Sequence, residues 1–310
     1  MNIVRRLGLA FQSGLAAAVL LFAGCHKGGG EDTAAVPQIW NLYNGDRAFA
    51  DVKALVDIGP RPSGSAAIEK ARQYIIAQVR AAGWTVTEQP FDDSTPRGPI
   101  HFINLIARFG KGDTTQQAIV CSHYDTKIFD TIRFVGASDG GSSTGALIEL
   151  ARTLAHDPAL AKKVELVFFD GEEAVVQFNE TDGLYGSRYY AMKLRDSGRY
   201  RQFKFGILWD MMGPRNLIIT LSTDSPPALT GGILKAADAL HDRQHFTFFK
   251  DAIYDDHVPL DHIAEIPSVD LIDFDYPPWH TAADTLDKLS PDSLKIVGDV
   301  TLYYLRQQFP

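Results

Sequence analysis

Apolar residues recur along the chain either on one helical face or in short unbroken runs. In "SAAIEKARQYIIAQVRAAG", Ile68, Ala71, Ile75 and Val79 fall on one face, which predicts a helix that stops at Gly83. Further helices are predicted for "GSSTGALIELARTLAH", "PPALTGGILKAADALHD" and "SPDSLKIVGDVTLYYLRQQF". The last of these has a serine and a proline at the positions where they favour a helix start.

The runs between these helices predict strands. "WTVTEQPF" and "HFINLIARF" have the pattern of a hairpin, whereas "QAIVCSH", "KVELVFFD", "KFGILWD" and "SVDLIDFD" are nearly continuous in apolar residues. Continuous apolar strands that alternate with amphipathic helices are typical of a sheet covered on both faces. We therefore expect an α/β fold over residues 45–310, a single domain with a twisted mixed β-sheet flanked by helices on both faces.

Composition is consistent with this fold and argues against a nucleic-acid partner. The 310 residues are 45% hydrophobic, which is enough for one large core, and the formal net charge is −8. The sequence shows no basic stripe, so nucleic acid is not an expected partner.

The amino terminus has the pattern of an export signal. "MNIVRRLGLAFQSGLAAAVLLFAGCHKGGGED" contains two arginines, an apolar run over residues 15–23, and a small residue before Cys25. This resembles a bacterial lipoprotein signal, with a signal peptide over residues 1–24 and a lipidated Cys25 that begins a flexible tether over residues 25–44. An ordinary secretory peptide with an incidental cysteine is the alternative. We expect an exported, periplasmic, membrane-anchored protein that contacts the membrane only through this lipid.

Polar side chains collect after the predicted strands. Because the carboxyl ends of parallel strands meet at one edge of a sheet, we expect these side chains to lie together. They are His123, Glu172, Glu173, Asp210 and His280, and Asp139 joins them from "VGASDGGSSTG", just before a predicted helix. Adjacent glutamates are costly to bury unless a cation lies beside them. Carboxylate and imidazole together favour a divalent metal, with one glutamate as ligand and the other as proton carrier.

Each of these residues also has an ordinary structural interpretation. His123 could be a hydrogen-bonded core histidine, Asp139 a helix cap, Asp210 a turn residue, and the glutamate pair a solvated loop. Their coincidence at the predicted strand ends favours the metal site.

A serine hydrolase is a second hypothesis. "GASDG" fits the nucleophile-elbow pattern, with Ser138 as nucleophile and Asp255 or Asp273 and His280 as its partners. The preceding strand would be "TIRFV", which is short and carries an arginine. This hypothesis also leaves the glutamate pair unexplained.

Seven stretches together resemble a known family. "CSHYDTK", "VGASDGG", "FFDGEEA", "GLYGSRYY", "LWDMMG", "YDDHVPL" and "YPPWHTAADT" are similar, in this order, to motifs of the zinc-dependent glutaminyl cyclases. These are glutaminyl-peptide cyclotransferases of the M28 aminopeptidase-like superfamily, and the resemblance spans about residues 45–310. It implies the zinc aminopeptidase-like fold and closure of an N-terminal glutamine into pyroglutamate with release of ammonia. The implied substrates are peptides or proteins with N-terminal glutamine, and we expect a monomer.

The resemblance also implies roles for individual residues. One zinc per chain would be held by Asp139, Glu173 and His280, with Glu172 as general acid/base. The remaining roles are a supporting hydrogen-bond network and a substrate pocket. The network would be formed by Asp210 and Asp255, and the pocket by Trp279, Phe178 and Tyr254, where Phe178 takes the place of a tryptophan usual in the cyclases.

A dizinc aminopeptidase of the same superfamily is the main alternative. There His123 and Asp210 would bind a second zinc, with Asp139 bridging the two ions. Both residues are present, so the number of ligands does not separate the two activities. The stretches "DDHVPL" and "PPWHT" resemble the cyclases more than the aminopeptidases.

Overall fold

The computed structural model describes residues 38–110 and 116–310, which form one compact unit from Gln38 to Pro310. The predicted signal peptide, Cys25 and most of the predicted tether lie outside the described residues. The tether prediction is wrong for its last residues. Residues 39–42 form a 3-10 turn, and Ile39 and Tyr43 are buried in the core.

The centre of the domain is an eight-stranded mixed sheet, which confirms the predicted fold class. The strands are β1 (Trp84–Thr95), β2 (Gly98–Phe109), β3 (Ala118–His123), β4 (Val164–Phe169), β5 (Phe205–Asp210), β6 (Ile219–Leu221), β7 (Phe246–Phe248) and β8 (Ser268–Ile272). Their order is β1-β2-β4-β3-β5-β8-β6-β7. The hairpin β1-β2 is antiparallel and β2 is antiparallel to β4, whereas β4, β3, β5 and β8 run parallel.

Helices cover both faces of this sheet. They are α1 (Gly45–Ile58), α2 (Ala66–Ala81), α3 (Gly141–Leu154), α4 (Pro158–Ala161), α5 (Tyr185–Ser197), α6 (Pro227–Ala239), α7 (His257–His262) and α8 (Pro291–Gln308). The cap predicted for α8 is confirmed, because the Ser290 hydroxyl accepts a hydrogen bond from the Asp292 amide. Among the described residues, no helix is long and apolar enough to cross a membrane.

Two apolar clusters place the helices on opposite faces. The larger cluster joins alternate strand residues such as Val120 and Trp209 to α1, α2, α3, α6 and α8. The smaller one joins Cys121 and Phe169 to α5 and α7. The parallel strands are therefore buried on both faces, which explains their continuous apolar sequences.

Some elements were not predicted from the pattern. Helix α1 has a regular apolar face, with Ala48, Val52 and Leu55 fully buried. Helix α5 is rich in tyrosine and basic residues, so its apolar residues show only a weak helical period. Strands β6 and β7 have three residues each, which is too short for a pattern to show.

Candidate metal centre and active site

Asp139, Glu173 and His280 come together at the carboxyl edge of the parallel strands, as predicted. His280 Nε2 lies 3.1 Å from Glu173 Oε1 and 3.3 Å from Asp139 Oδ2. One ligand atom from each residue lies within 4.8 Å of the others. The two carboxylates are buried, and the His280 side chain is 25% exposed. They reach this point from the loop before α3, the turn after β4 and the loop after β8.

The donor set fits a divalent cation. Asp139 Oδ2 is buried, and its 3.3 Å contact with His280 is the only polar contact found for it within the described part of the chain. Burial would raise the pKa of Asp139, but hydrogen bonds from His123 and His280 hold that pKa well below its usual range. Burial lowers the pKa of His280, yet its bonds to Asp139 and Glu173 outweigh this and raise it to about 9. Two buried carboxylates thus converge on one cation-binding point.

A second group shares Asp139 with the first. His123 Nε2 lies 3.2 Å from Asp139 Oδ1 and 3.2 Å from Asp210 Oδ1, and all three residues are buried. His123 Nδ1 lies 3.4 Å from Asp125 Oδ1. The structure therefore also assembles the residues of the two-metal alternative.

The turn after β4 separates the two adjacent glutamates. Gly171 has a positive φ of 79°, and a Cβ there would meet the Phe102 ring at 2.5 Å, so this turn requires glycine. The backbone amides of Glu172 and Glu173 then donate to the two oxygens of Asp125, each at 3.2 Å. Glu173 points towards His280. Burial, followed by repulsion from Glu173, raises the pKa of Glu172 well above its usual range.

Asp210 and Asp255 also reach the site. Both are buried and line the same cavity as the glutamates. Burial and the neighbouring Asp210 raise the pKa of Asp255 well above its ordinary value. Met211 and His280, both on this cavity, have positive φ angles of 41° and 55°, and such strained non-glycine residues cluster at functional sites.

The site opens into a cavity of about 440 Å³ with aromatic walls. Trp279 stacks on the His280 ring with centroids 4.3 Å apart, and Phe178 contacts Tyr254 edge-on at 5.8 Å. Trp279, Phe178 and Tyr254 are 39%, 37% and 51% exposed, so they form the rim rather than the floor. The three predicted pocket residues therefore lie around one opening.

The serine-hydrolase hypothesis is wrong. Ser138 Oγ is buried and has no hydrogen-bond partner among the described residues, so it is not activated by His280. His280 instead contacts Asp139 and Glu173, and Asp273 accepts a hydrogen bond from the Ile218 amide. Within the described residues Ser138 therefore lacks the histidine partner on which the predicted Ser-His-Asp arrangement depends.

Two residues at the site were not singled out from the sequence. Lys127 lines the cavity with its Nζ atom 3.5 Å from Glu173 Oε2. Asp284 is buried and accepts hydrogen bonds from the amides of Ser138 and Asp139. Both belong to stretches that carry the family resemblance, "CSHYDTK" and "YPPWHTAADT", and this was the available signal.

Comparison with known proteins agrees with this geometry. Residues 104–305 match the sequence profile of peptidase family M28. A glutaminyl-peptide cyclotransferase of Boiga irregularis is 30% identical, and the similarity covers 81% of this chain and 78% of that protein.

Solved structures extend the similarity to the fold. A glutaminyl cyclase from an Acidobacteriales bacterium is 34% identical with a TM-score of 0.77, covering 86% of this chain and 95% of that one. A Porphyromonas gingivalis glutaminyl cyclase is 28% identical with a TM-score of 0.80, covering 86% and 99%. The chain belongs to peptidase family M28 and, within it, to the glutaminyl-peptide cyclotransferases.

Proposed function

We propose that the protein is a glutaminyl-peptide cyclotransferase that converts the N-terminal glutamine of peptides into pyroglutamate and releases ammonia. The observation that carries the proposal is the pairing of a metal-ligand group with a second, non-ligating glutamate at the base of an aromatic cavity. Membership of the cyclotransferase family supports the same activity.

Asp139, Glu173 and His280 would hold one zinc ion per chain. Two carboxylates and one imidazole are a ligand set suited to a catalytic zinc, and M28 membership agrees with zinc. The chemistry that zinc supplies at such a site is Lewis-acid polarisation of a carbonyl, here that of the glutamine side-chain amide.

Glu172 would move the proton. The α-amino nitrogen bonds to the side-chain amide carbon, and Glu172 takes a proton from that nitrogen. The bond to the amide nitrogen then breaks, and Glu172 returns the proton so that ammonia leaves. Asp210 and Asp255, buried beside Glu172 on the cavity wall, would support its position.

The cavity would position the two ends of one residue. Trp279, Phe178 and Tyr254, at the rim, would pack against an uncharged glutamine side chain that reaches into the cavity, and would exclude bulk water. Because the attacking amine and the leaving amide belong to the same residue, positioning supplies much of the rate. The monomeric state expected from the sequence stays a prediction.

A dizinc aminopeptidase is the competing activity, and the group His123, Asp139 and Asp210 is the observation that favours it. The test offers purified protein a Gln-initiated dipeptide and a Leu-initiated chromogenic amide. We expect ammonia and a cyclised product from the first and no hydrolysis of the second. Hydrolysis of the leucine amide without cyclisation would reject the proposal.

We also propose that the protein is exported as a periplasmic lipoprotein. Residues 1–24 would be the signal peptide and Cys25 the lipidated residue, and the tether would end where the compact domain begins, at Gln38. The apolar run before Cys25 supports this proposal, although these residues lie outside those that the structure describes.

A further inference from the structure

Five basic side chains lie at the edge of the sheet opposite the cavity. They are Lys163, Arg199, Arg201, Lys204 and Arg306, and we call them the basic edge. Lys163 directly precedes β4 and Lys204 directly precedes β5, whereas the candidate site lies where these strands end. Six residues of strand separate the two edges by roughly 20 Å.

The backbone holds part of this group in place. The Gln117 amide donates to the Lys163 carbonyl at 2.7 Å, and the Lys204 amide donates to the Gln117 carbonyl at 2.8 Å. Lys163 and Lys204 therefore flank Gln117 where the three adjacent strands β4, β3 and β5 begin. Together with Arg306 they line a surface cavity of about 300 Å³.

Few carboxylates neutralise these charges. Arg199 pairs with Glu165 at 2.8 Å, but Arg108 shares this glutamate, and Arg306 lies 3.8 Å from Asp157. Lys163, Arg201 and Lys204 make no ion pair with a described carboxylate.

The two most exposed cations of the group pack on aromatic rings instead. The Arg201 guanidinium lies 4.8 Å from the Tyr200 ring centroid, and Lys204 Nζ lies 5.1 Å from that of Phe309. These contacts leave the positive charges unneutralised in a chain whose net charge is −8. A solvated face is the ordinary fate of scattered lysines, but here Lys163, Lys204 and Arg306 line one cavity.

The amino-terminal end of the described chain also runs towards this edge. Lys295 Nζ, near the start of α8, donates to the Tyr43 carbonyl, and Trp40 contacts Tyr303 near the end of α8 with ring centroids 4.7 Å apart. Following the chain backwards from Tyr43 to Trp40 therefore leads towards Phe309, which stacks on Phe205 beside Lys204.

We propose that the basic edge binds the headgroups of an anionic phospholipid bilayer and thereby turns the cavity away from the membrane. Lysine and arginine side chains near a bilayer are attracted by its negative surface potential, and the attraction falls off within a Debye length. The contact is additional to the lipid proposed at Cys25 and does not depend on the proposed reaction.

The test uses residues 25–310 with Cys25→Ala, so that neither the leader nor a lipid contributes. Co-sedimentation is measured with phosphatidylglycerol-rich vesicles and with phosphatidylcholine vesicles, at low and high salt. The test variant is Lys163→Gln with Lys204→Gln. The matched control is Lys53→Gln with Lys70→Gln, which makes the same charge change on the exposed surface of α1 and α2.

We expect binding to the phosphatidylglycerol vesicles at low salt, release at high salt, and roughly thirtyfold weaker binding of the test variant. The control pair should bind like the parent, and all three proteins should turn over a Gln-peptide equally. The proposal is overturned by equal binding to phosphatidylcholine, by equal losses in both variants, or by capture on polyglutamate beads without vesicle binding. The last result would assign the edge to an acidic protein partner.

Discussion

Asp284 and Asp139 are joined by a hydrogen bond of 3.1 Å, in which the Asp139 backbone amide donates to Asp284 Oδ2. The other oxygen of Asp284 accepts from the Ser138 amide at 2.8 Å and from the Tyr276 hydroxyl at 3.0 Å. Asp284 follows His280 by four residues, so this carboxylate ties the loop of one candidate ligand to the loop of another. Such supporting contacts orient metal ligands.

The first prediction concerns this contact. Asp284→Ala leaves two buried amides without their acceptor, so the Asp139 loop should relax and zinc should bind roughly ten- to a hundredfold more weakly. A competing chelator measures this affinity. Asp287→Ala is the control, since that side chain is 67% exposed, and it should bind zinc like the wild type. Unchanged zinc affinity in Asp284→Ala would show that the ligands are held by other contacts.

The two adjacent glutamates should respond differently to the same change. Glu172→Gln keeps the side-chain shape but removes the proton carrier, so it should retain zinc and lose turnover by roughly a hundredfold or more. Glu173→Gln should weaken zinc binding, because a ligand charge is lost. Metal content and turnover are measured on both variants. Metal loss in Glu172→Gln alone would reverse the two roles, and full turnover in Glu172→Gln would exclude it as the acid/base.

Metal removal should abolish activity, whereas loss of the Ser138 hydroxyl should not. A strong chelator is expected to stop turnover, and zinc should restore it. Ser138→Ala should keep most of the activity, since Ser138 Oγ makes no hydrogen bond in the described chain. Elemental analysis after dialysis should give about one zinc per chain. Two tightly held zinc ions would favour the aminopeptidase.

Asp273 should make stability depend on pH. Burial is the main cause that raises the pKa of Asp273 to about 6, from an ordinary value near 3.8. The folded state therefore holds this proton more tightly than the unfolded state, and stability falls as pH rises from about 4 to about 6. Asp273→Asn removes this penalty while its amide oxygen still accepts from Ile218.

Thermal unfolding of metal-free protein at pH 4 and pH 7 tests this. At each pH the melting temperature of Asp273→Asn is compared with that of the wild type. This difference should favour the variant more at pH 7 than at pH 4. The exposed Asp251→Asn should show the same difference at both pH values. If the difference in melting temperature between Asp273→Asn and the wild type did not change with pH, the Asp273 carboxyl group would have the same pKa in the folded and unfolded states.

Cys25→Ala should release the protein from the membrane fraction of a Gram-negative host, because it removes the proposed lipid attachment site. Fractionation of wild-type and variant protein measures this. If wild-type protein were found in the soluble fraction to the same extent as the variant, the lipid-anchor proposal would be wrong.

Much of the fold could be read from the sequence alone. The period of apolar residues located the four predicted helices and six of the strands, because burial of one helical face or of both strand faces leaves a regular pattern. The residue types at the strand ends indicated a metal site, because His, Asp and Glu at one sheet edge have few other uses. The structure brings Asp139, Glu173 and His280 together as predicted.

Only the tertiary structure decided which polar groups face one another. Asp284 is one of many acidic residues in the sequence. Its contact with the Asp139 amide depends on the path of two loops, whose residues show no hydrophobic period. The basic edge joins Lys163, Arg199 and Arg306, which are far apart in sequence and meet because their strand and helix ends share one side of the sheet. Loop paths and side-chain neighbours arise from long-range packing, which a local pattern of residues does not encode.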